Sequence, residues 1–105
     1  MRPSLISLVA AALVCAATLP QAAAAADARY IAANCANCHG TDGRSAGGGG
    51  MPGLAGLSAP YFVEQMNAFR SGKRQATVMH QIAKGYTEAE INSLAAYFAA
   101  QKSDK

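Results

Sequence analysis

Apolar residues follow different rhythms along this chain. From Leu5 to Leu19 they are almost continuous. Beyond Asp27 they recur at helical spacing. The clearest case is "TEAEINSLAAYFAAQK", where Ile91, Leu94, Ala95 and Phe98 fall at i, i+3, i+4 and i+7. That spacing puts them on one side of a helix. Thr87 with Glu90 forms a capping box at its start. In "SAPYFVEQMNAFRSG" Phe62, Met66 and Phe69 form a second stripe at i, i+4 and i+7. Ser58 caps that helix, Pro60 sits in its first turn and Gly72 ends it. "QATVMHQIAKG" predicts a shorter helix or helical turn stopping at Gly85. "DARYIAANCANCHG" predicts a short helix capped by Asp27 and stopped by Gly40, with Tyr30, Ile31 and Cys35 on roughly one face. No strand-like alternation and no internal repeat is present. The pattern predicts an all-α domain of three to five short helices.

Between Gly40 and Leu57 the chain is too rich in glycine for regular structure, and Pro52 breaks what remains. Gly47 to Gly50 read as a mobile surface loop. "MPGLAG" does not, because Leu54 and Leu57 are apolar and need cover. Glycines at this density also let the backbone approach a flat ligand closely.

The first 26 residues change the picture of size. Arg2 gives a basic start, the apolar run follows, and an alanine tract offers many small-residue cleavage sites. This is the layout of a secretory signal peptide, with cleavage near Ala26. The apolar run is short for a membrane span, which needs about 20 residues. Cys15 ends no lipoprotein motif, since Val14 stands where a small residue belongs. The expected mature chain, residues 27–105, has about 79 residues and is exported to the periplasm. A domain of that size has a marginal core and needs a staple. The chain has three Phe, four Tyr and no Trp, which is little bulk for a core. A disulfide between Cys35 and Cys38 would close only a tiny loop and constrain little. The staple is then something those two cysteines hold, and a large flat apolar ligand at the centre would supply the missing bulk.

Charge adds little. The net charge is +3, and Arg70, Lys73 and Arg74 are the nearest thing to a basic cluster. They could steer an acidic partner or simply be a solvated helix end. Nucleic-acid binding has no support.

The candidate chemistry lies in "CANCHG". Two cysteines three apart, with a histidine directly after the second, form C-x-x-C-H, the attachment signature of c-type haem. On one helical turn Cys35 and Cys38 point the same way, so both can add to the vinyl groups along one side of a porphyrin. His39, one step around, can place a ring nitrogen on the iron. Covalent attachment suits an exported protein, whose cofactor cannot then be lost by dilution. Two rivals are weaker. A thioredoxin-like redox pair needs βαβ units, which the pattern lacks. A zinc site needs four ligands, and there is no second cysteine pair.

A sixth iron ligand can come from Met51, Met66, Met79 or His80. Met66 belongs to the apolar stripe. Met51 sits in the glycine-rich loop, which places ligands poorly. Met79 lies about 40 residues after His39. His80 points roughly 100° away from Met79 on a helix, so only one of the two can face the iron. Met79 is the favoured candidate, and His/Met ligation raises the reduction potential over two histidines.

"CANCHG", "PGLAG", "YFVEQMNAFRSGKR" and "ATVMHQIAKGYTEAEINSLAAYFAAQ" together resemble a small class I cytochrome c, from Asp27 to about Gln101. The later blocks are similar to bacterial dihaem-type cytochromes and to the cytochrome subunit of flavocytochrome c sulfide dehydrogenase. The resemblance implies a class I cytochrome c fold around one covalent haem c, held by Cys35 and Cys38. It implies His39 as proximal and Met79 as distal ligand, with the Pro52 carbonyl accepting a hydrogen bond from His39. Tyr61 and Phe62 would begin a helix covering one haem edge, and the helix of Tyr97 and Phe98 would pack across the first. Dihaem relatives carry two such domains; this chain has a single C-x-x-C-H. The implied function is electron transfer without catalysis by the chain itself. The partner is a redox protein, either a flavoprotein subunit or a terminal oxidase served by a free carrier, and no stable membrane insertion is expected. A haem enzyme or sensor with an open iron is the alternative of a different class.

Overall fold

The computed structural model describes residues 27–45 and 50–103. The expected signal segment, Cys15 and most of the Gly47–Gly50 run lie outside them. The described residues form helix α1 (27–33), α2 (Ala36–His39), a single 3-10 turn (Thr41–Gly43), α3 (Ala59–Ser71), α4 (Met79–Lys84) and α5 (Glu88–Ala99). None of them is in a strand. The all-α expectation holds.

The helix expected from Asp27 to Gly40 is two pieces. The Asn34 and Cys35 amides donate to Ile31 and Ala32, three residues back, at 3.2 and 3.0 Å. That tightening replaces the ordinary four-residue reach and makes a turn. The Asn34 carbonyl accepts from the Asn37 side chain at 3.4 Å, while Cys38 N–H donates to Cys35 instead. Asparagine side chains compete with helical bonding in this way. Asp27 is itself helical and therefore does not cap.

Tyr30 does not join the buried stripe; it is 80% exposed. The buried face of α1 is Ala28 and Ala32. Tyr30 stands two residues from each, about 200° around the helix, so it faces the other way. Small alanines bring α1 close to the core where a tyrosine would hold it off.

The other elements follow the sequence pattern. Ser58 Oγ accepts from Tyr61 N–H at 3.4 Å, Pro60 lies in the first turn of α3, and Gly72 ends it at φ 79°. At α5 the capping box is closed in both directions, at 2.8 and 3.2 Å. Phe62, Met66, Ala83, Ile91, Leu94, Ala95 and Phe98 make one buried cluster with Ala32. Phe98 stacks on Phe62 at 5.6 Å and meets the Tyr97 ring edge-on at 5.2 Å. Such aromatic pairs add about 0.5–1.5 kcal/mol to burial alone. Helix α3 packs against both α4 and α5, and Arg70 pairs with Glu88 at 2.7 Å to tie α3 to α5.

The irregular stretch is tied down at one place. The Gly43 carbonyl accepts from Leu54 and Ala55 N–H at 2.8 and 3.2 Å. Gly43 is buried at φ 78°, and a Cβ there would meet Ala55 N, Leu54 Cβ and Phe98 Cδ1, all within 2.9 Å. Only glycine fits a contact that close. Leu54 and Leu57 pack against the core as their apolarity requires.

Candidate functional site

The turn Cys35–His39 is closed by His39 N–H donating to the Cys35 carbonyl at 2.9 Å. Cys35 is half-buried, Cys38 exposed and His39 buried. Both thiols are free. Gly40 then turns the chain at φ 82°, ψ 163°, a conformation that is essentially glycine's alone. A Cβ there would strike the Arg44 carbonyl. The break at Gly40 folds the following loop back over α2 and leaves His39 beneath it.

His39 Nδ1 lies 2.7 Å from the Pro52 carbonyl oxygen. A carbonyl can only accept, so Nδ1 carries the proton. Nε2 is then the unprotonated nitrogen, with its lone pair available to a metal. The bond between His39 and Pro52 that the resemblance implies is therefore in place. Next to Pro52, the Met51 carbonyl accepts from Ser45 Oγ at 2.8 Å. The Gly43 bonds to Leu54 and Ala55 fix the other flank.

Burial pushes the Cys35 thiol above its ordinary 9.0, against a smaller opposing effect of its backbone hydrogen bond. A redox-active dithiol depends on a thiol made acidic. The thioredoxin-like rival needs βαβ units, and none of the described residues is in a strand. Among the described residues no three His, Cys, Asp or Glu side chains gather as metal ligands. Tyr86, which the sequence did not single out, lies beside Cys35. Burial first and Cys35 second push its hydroxyl upward, and a side-chain hydrogen bond with Asn34 opposes them.

The remaining candidates differ in setting. Met66 is buried in the core, as its stripe position predicts. Met51 is exposed. Met79 opens α4, half-buried, and packs against the core cluster. His80 is half-buried, and its Nδ1 is enclosed without a hydrogen-bond partner. Phe62 is part of the core, whereas Tyr61 is 46% exposed. Adjacent helical positions diverge by about 100°, so the two rings serve different faces.

The cytochrome c family model matches residues 23–102. The chain belongs to the cytochrome c family. Comparison with curated proteins gave no match. Twelve solved chains match. Among them is the cytochrome c4 of Acidithiobacillus ferrooxidans, with 37% identity and a TM-score of 0.66, over 74% of this chain and 49% of that one. The chain thus spans about half the length of that relative. That protein's structure has been described as supporting a complex-induced tuning of electron transfer. Membership in the cytochrome c family implies electron transfer and covalently bound haem c.

The residues present fit that group. Two thiols and an imidazole share one helical turn, and the Pro52 carbonyl holds the imidazole in its metal-binding tautomer. Large apolar side chains also stand uncovered in this cytochrome's later segments: Met51, Tyr61, Val78 and Ile82. A flat apolar cofactor is the kind of group that covers such surface.

A second polar pair was not foreseen from the sequence. Tyr97 O–H donates to Asp42 Oδ1 at 2.5 Å. Asp42 has φ 53°, the only positive φ of a non-glycine among the described residues. The one sequence signal was "GTDG", since aspartate tolerates the left-handed region better than most residues. The hydrogen bond to Asp42, then burial and the Asp42 charge, hold the Tyr97 hydroxyl above its ordinary 10.0; Arg29 and Arg44 oppose them. Because the folded-state value is the higher one, the stabilisation is complete below about pH 10 and is lost as pH rises through the folded value. Melting curves taken on both sides of pH 10 should therefore show a steeper alkaline loss than those of Tyr97→Phe. Equal alkaline slopes would count against this coupling.

Proposed function

We propose that this chain is a periplasmic carrier of single electrons with one haem c, which joins Cys35 and Cys38 by thioether bonds. His39 serves as proximal ligand through Nε2 and Met79 as distal ligand through its thioether. The observation that supports this reading most is the His39–Pro52 hydrogen bond, which leaves Nε2 as the free base. When bound, the haem supplies an iron that alternates between ferric and ferrous states. The chain's own residues do the rest. Hydrogen bonding of Nδ1 to Pro52 fixes the ring and raises its basicity. Met79, packed against the core, is held where rotation costs contacts. With His39 and Met79 both held for the iron, the chain would leave it no open position for a substrate and would act as a carrier rather than an enzyme. Pro52, Tyr61 and Phe62 complete the cofactor's surroundings in this reading. The electron would leave by the haem edge near Cys35 and Cys38, and the partner would dock there.

Residues 1–26 act as the signal peptide and residues 27–105 as the mature monohaem domain. No helix among the described residues is long and apolar enough to cross a membrane. The blocks "PGLAG" and "YFVEQMNAFRSGKR" also support a narrower reading, as the electron-accepting haem subunit of a flavocytochrome c sulfide dehydrogenase. Flavin absorption co-eluting with the Soret band from native periplasm supports that partner. The haem protein eluting alone leaves a free carrier to a terminal oxidase.

Met79→Ala tests the ligand assignment. The variant should lose the weak long-wavelength band of methionine-bound ferric haem, bind carbon monoxide when reduced, and fall in potential. If His80→Ala does this instead, His80 is the ligand. If the unaltered protein already binds carbon monoxide, the iron is open and the enzyme or sensor reading replaces the carrier.

A further inference from the structure

The Tyr97–Asp42 pair lies away from the proposed iron ligands, yet a short run of hydrogen bonds joins it to His39. Tyr97 O–H donates to Asp42 Oδ1. The next residue, Gly43, accepts from Leu54 and Ala55 N–H through its carbonyl. Two residues before Leu54, the Pro52 carbonyl accepts from His39 Nδ1 at 2.7 Å. The end of α5 and the segment just beyond it hold this loop twice more. The Phe98 carbonyl accepts from Gly56 N–H at 2.8 Å, and the Lys102 carbonyl accepts from Arg44 Nε at 3.0 Å.

Asp42 is the weak point of the arrangement. A non-glycine residue in the left-handed region costs free energy and persists where its surroundings over-determine it. The Tyr97 hydroxyl is one such constraint, and Arg44 Nη1, 3.8 Å from Asp42 Oδ2, is a second. If the hydroxyl is removed, Asp42 can relax. Relaxation moves Gly43, then the segment hydrogen-bonded to it, and with that segment the Pro52 carbonyl.

We propose that Tyr97 is a positioning residue for His39. Its hydroxyl holds Asp42 in the left-handed turn, and the turn holds the Pro52 carbonyl against the His39 ring. The proposal rests on the reading of His39 as iron ligand. Loss of the clamp lengthens the Nδ1–H···O bond, makes the imidazole a poorer donor to ferric iron, and shifts the potential upward. The Tyr97 ring itself, edge-on to Phe98, is not needed for this effect.

The test is Tyr97→Phe in the haem-loaded protein, which keeps the ring and loses only the hydroxyl. The first readout is solvent exchange of the His39 Nδ1 proton, followed by NMR in the diamagnetic ferrous state. Exchange should quicken about threefold to tenfold, the factor expected from loss of one net hydrogen bond. The potential should rise with it. Asp42→Ala breaks the bond from the other side and should act alike. Asp42→Asn keeps an acceptor and tolerates positive φ, so its exchange should stay near that of the unaltered protein. Unchanged exchange in Tyr97→Phe, whatever happens to its melting temperature, overturns the proposal and leaves Tyr97 a purely structural residue. Quickening in Asp42→Asn as large as in Asp42→Ala also overturns it. Failure of the His39 assignment is seen separately: the unaltered ferrous protein would then lack the strongly shifted ring signals of an iron-bound histidine.

Discussion

Replacing His39 with alanine is expected to leave no stable low-spin holoprotein. His39 is the one buried polar side chain in the described core, and its Nδ1 proton is committed to the Pro52 carbonyl. Removing the ring takes away the proposed proximal ligand and empties the space that the buried His39 side chain fills. It also removes the hydrogen bond to the Pro52 carbonyl, which lies on an exposed residue that water can reach, so that loss is about 0.5–1.5 kcal/mol, the net worth of one hydrogen bond. The absorption spectrum of the purified protein checks this, with melting followed at the Soret band. A variant that folds normally and keeps a low-spin spectrum would rule out His39 as the ligand. His39→Ala and Met79→Ala should differ in kind: the first destroys the site, whereas the second opens it.

The second large effect is expected from Phe98→Ala. Phe98 is fully buried, stacks on Phe62 and meets Tyr97 edge-on. Its ring also fills the space that Gly43 leaves by lacking a Cβ. Truncating a buried phenylalanine costs about 3–5 kcal/mol. A domain of this size has about 4–12 kcal/mol in total, at 0.05–0.15 kcal/mol per residue. The variant should thus unfold at a much lower urea concentration with a similar slope, and its apo chain should be unfolded in buffer. A loss below about 1 kcal/mol would mean that the core closes over the gap, since the cost depends on how well the site collapses.

Helices α3 and α5 were legible in the sequence because three independent signals coincide there. Ser58 and Thr87 cap, the apolar spacing is helical, and Gly72 or the capping box marks a boundary. The buried set Ile91, Leu94, Ala95 and Phe98 follows from spacing alone. The first helix was harder. Its buried side is two alanines, which carry almost no hydrophobic signal, while Tyr30 carries a strong one and faces solvent. The turn at Asn34 and Cys35 depends on side-chain bonding that a periodic pattern does not encode.

At the site, C-x-x-C-H named the chemistry because spacing of three on a helix is itself the geometry. Pro52 was reached only through resemblance. Its carbonyl is a backbone group, and no residue type announces where a carbonyl will point. The Asp42–Tyr97 hydrogen bond was missed for a related reason, its partners being 55 residues apart in the chain. Contacts of that span depend on how the helices pack, which local pattern does not reveal.

That same separation bears on how the protein is made. A chain made amino end first presents Cys35, Cys38 and His39 before Tyr97, Phe98 and Lys102. Until those later residues are present, the loop of Asp42 and Pro52 has only its own internal bonds and the one to His39. In that interval the two thiols lie on a segment that lacks the bonds holding it in the folded chain. The bonds from this loop to Tyr97, Phe98 and Lys102 span 55, 42 and 58 residues, so the loop is locked only when the two ends of the domain come together.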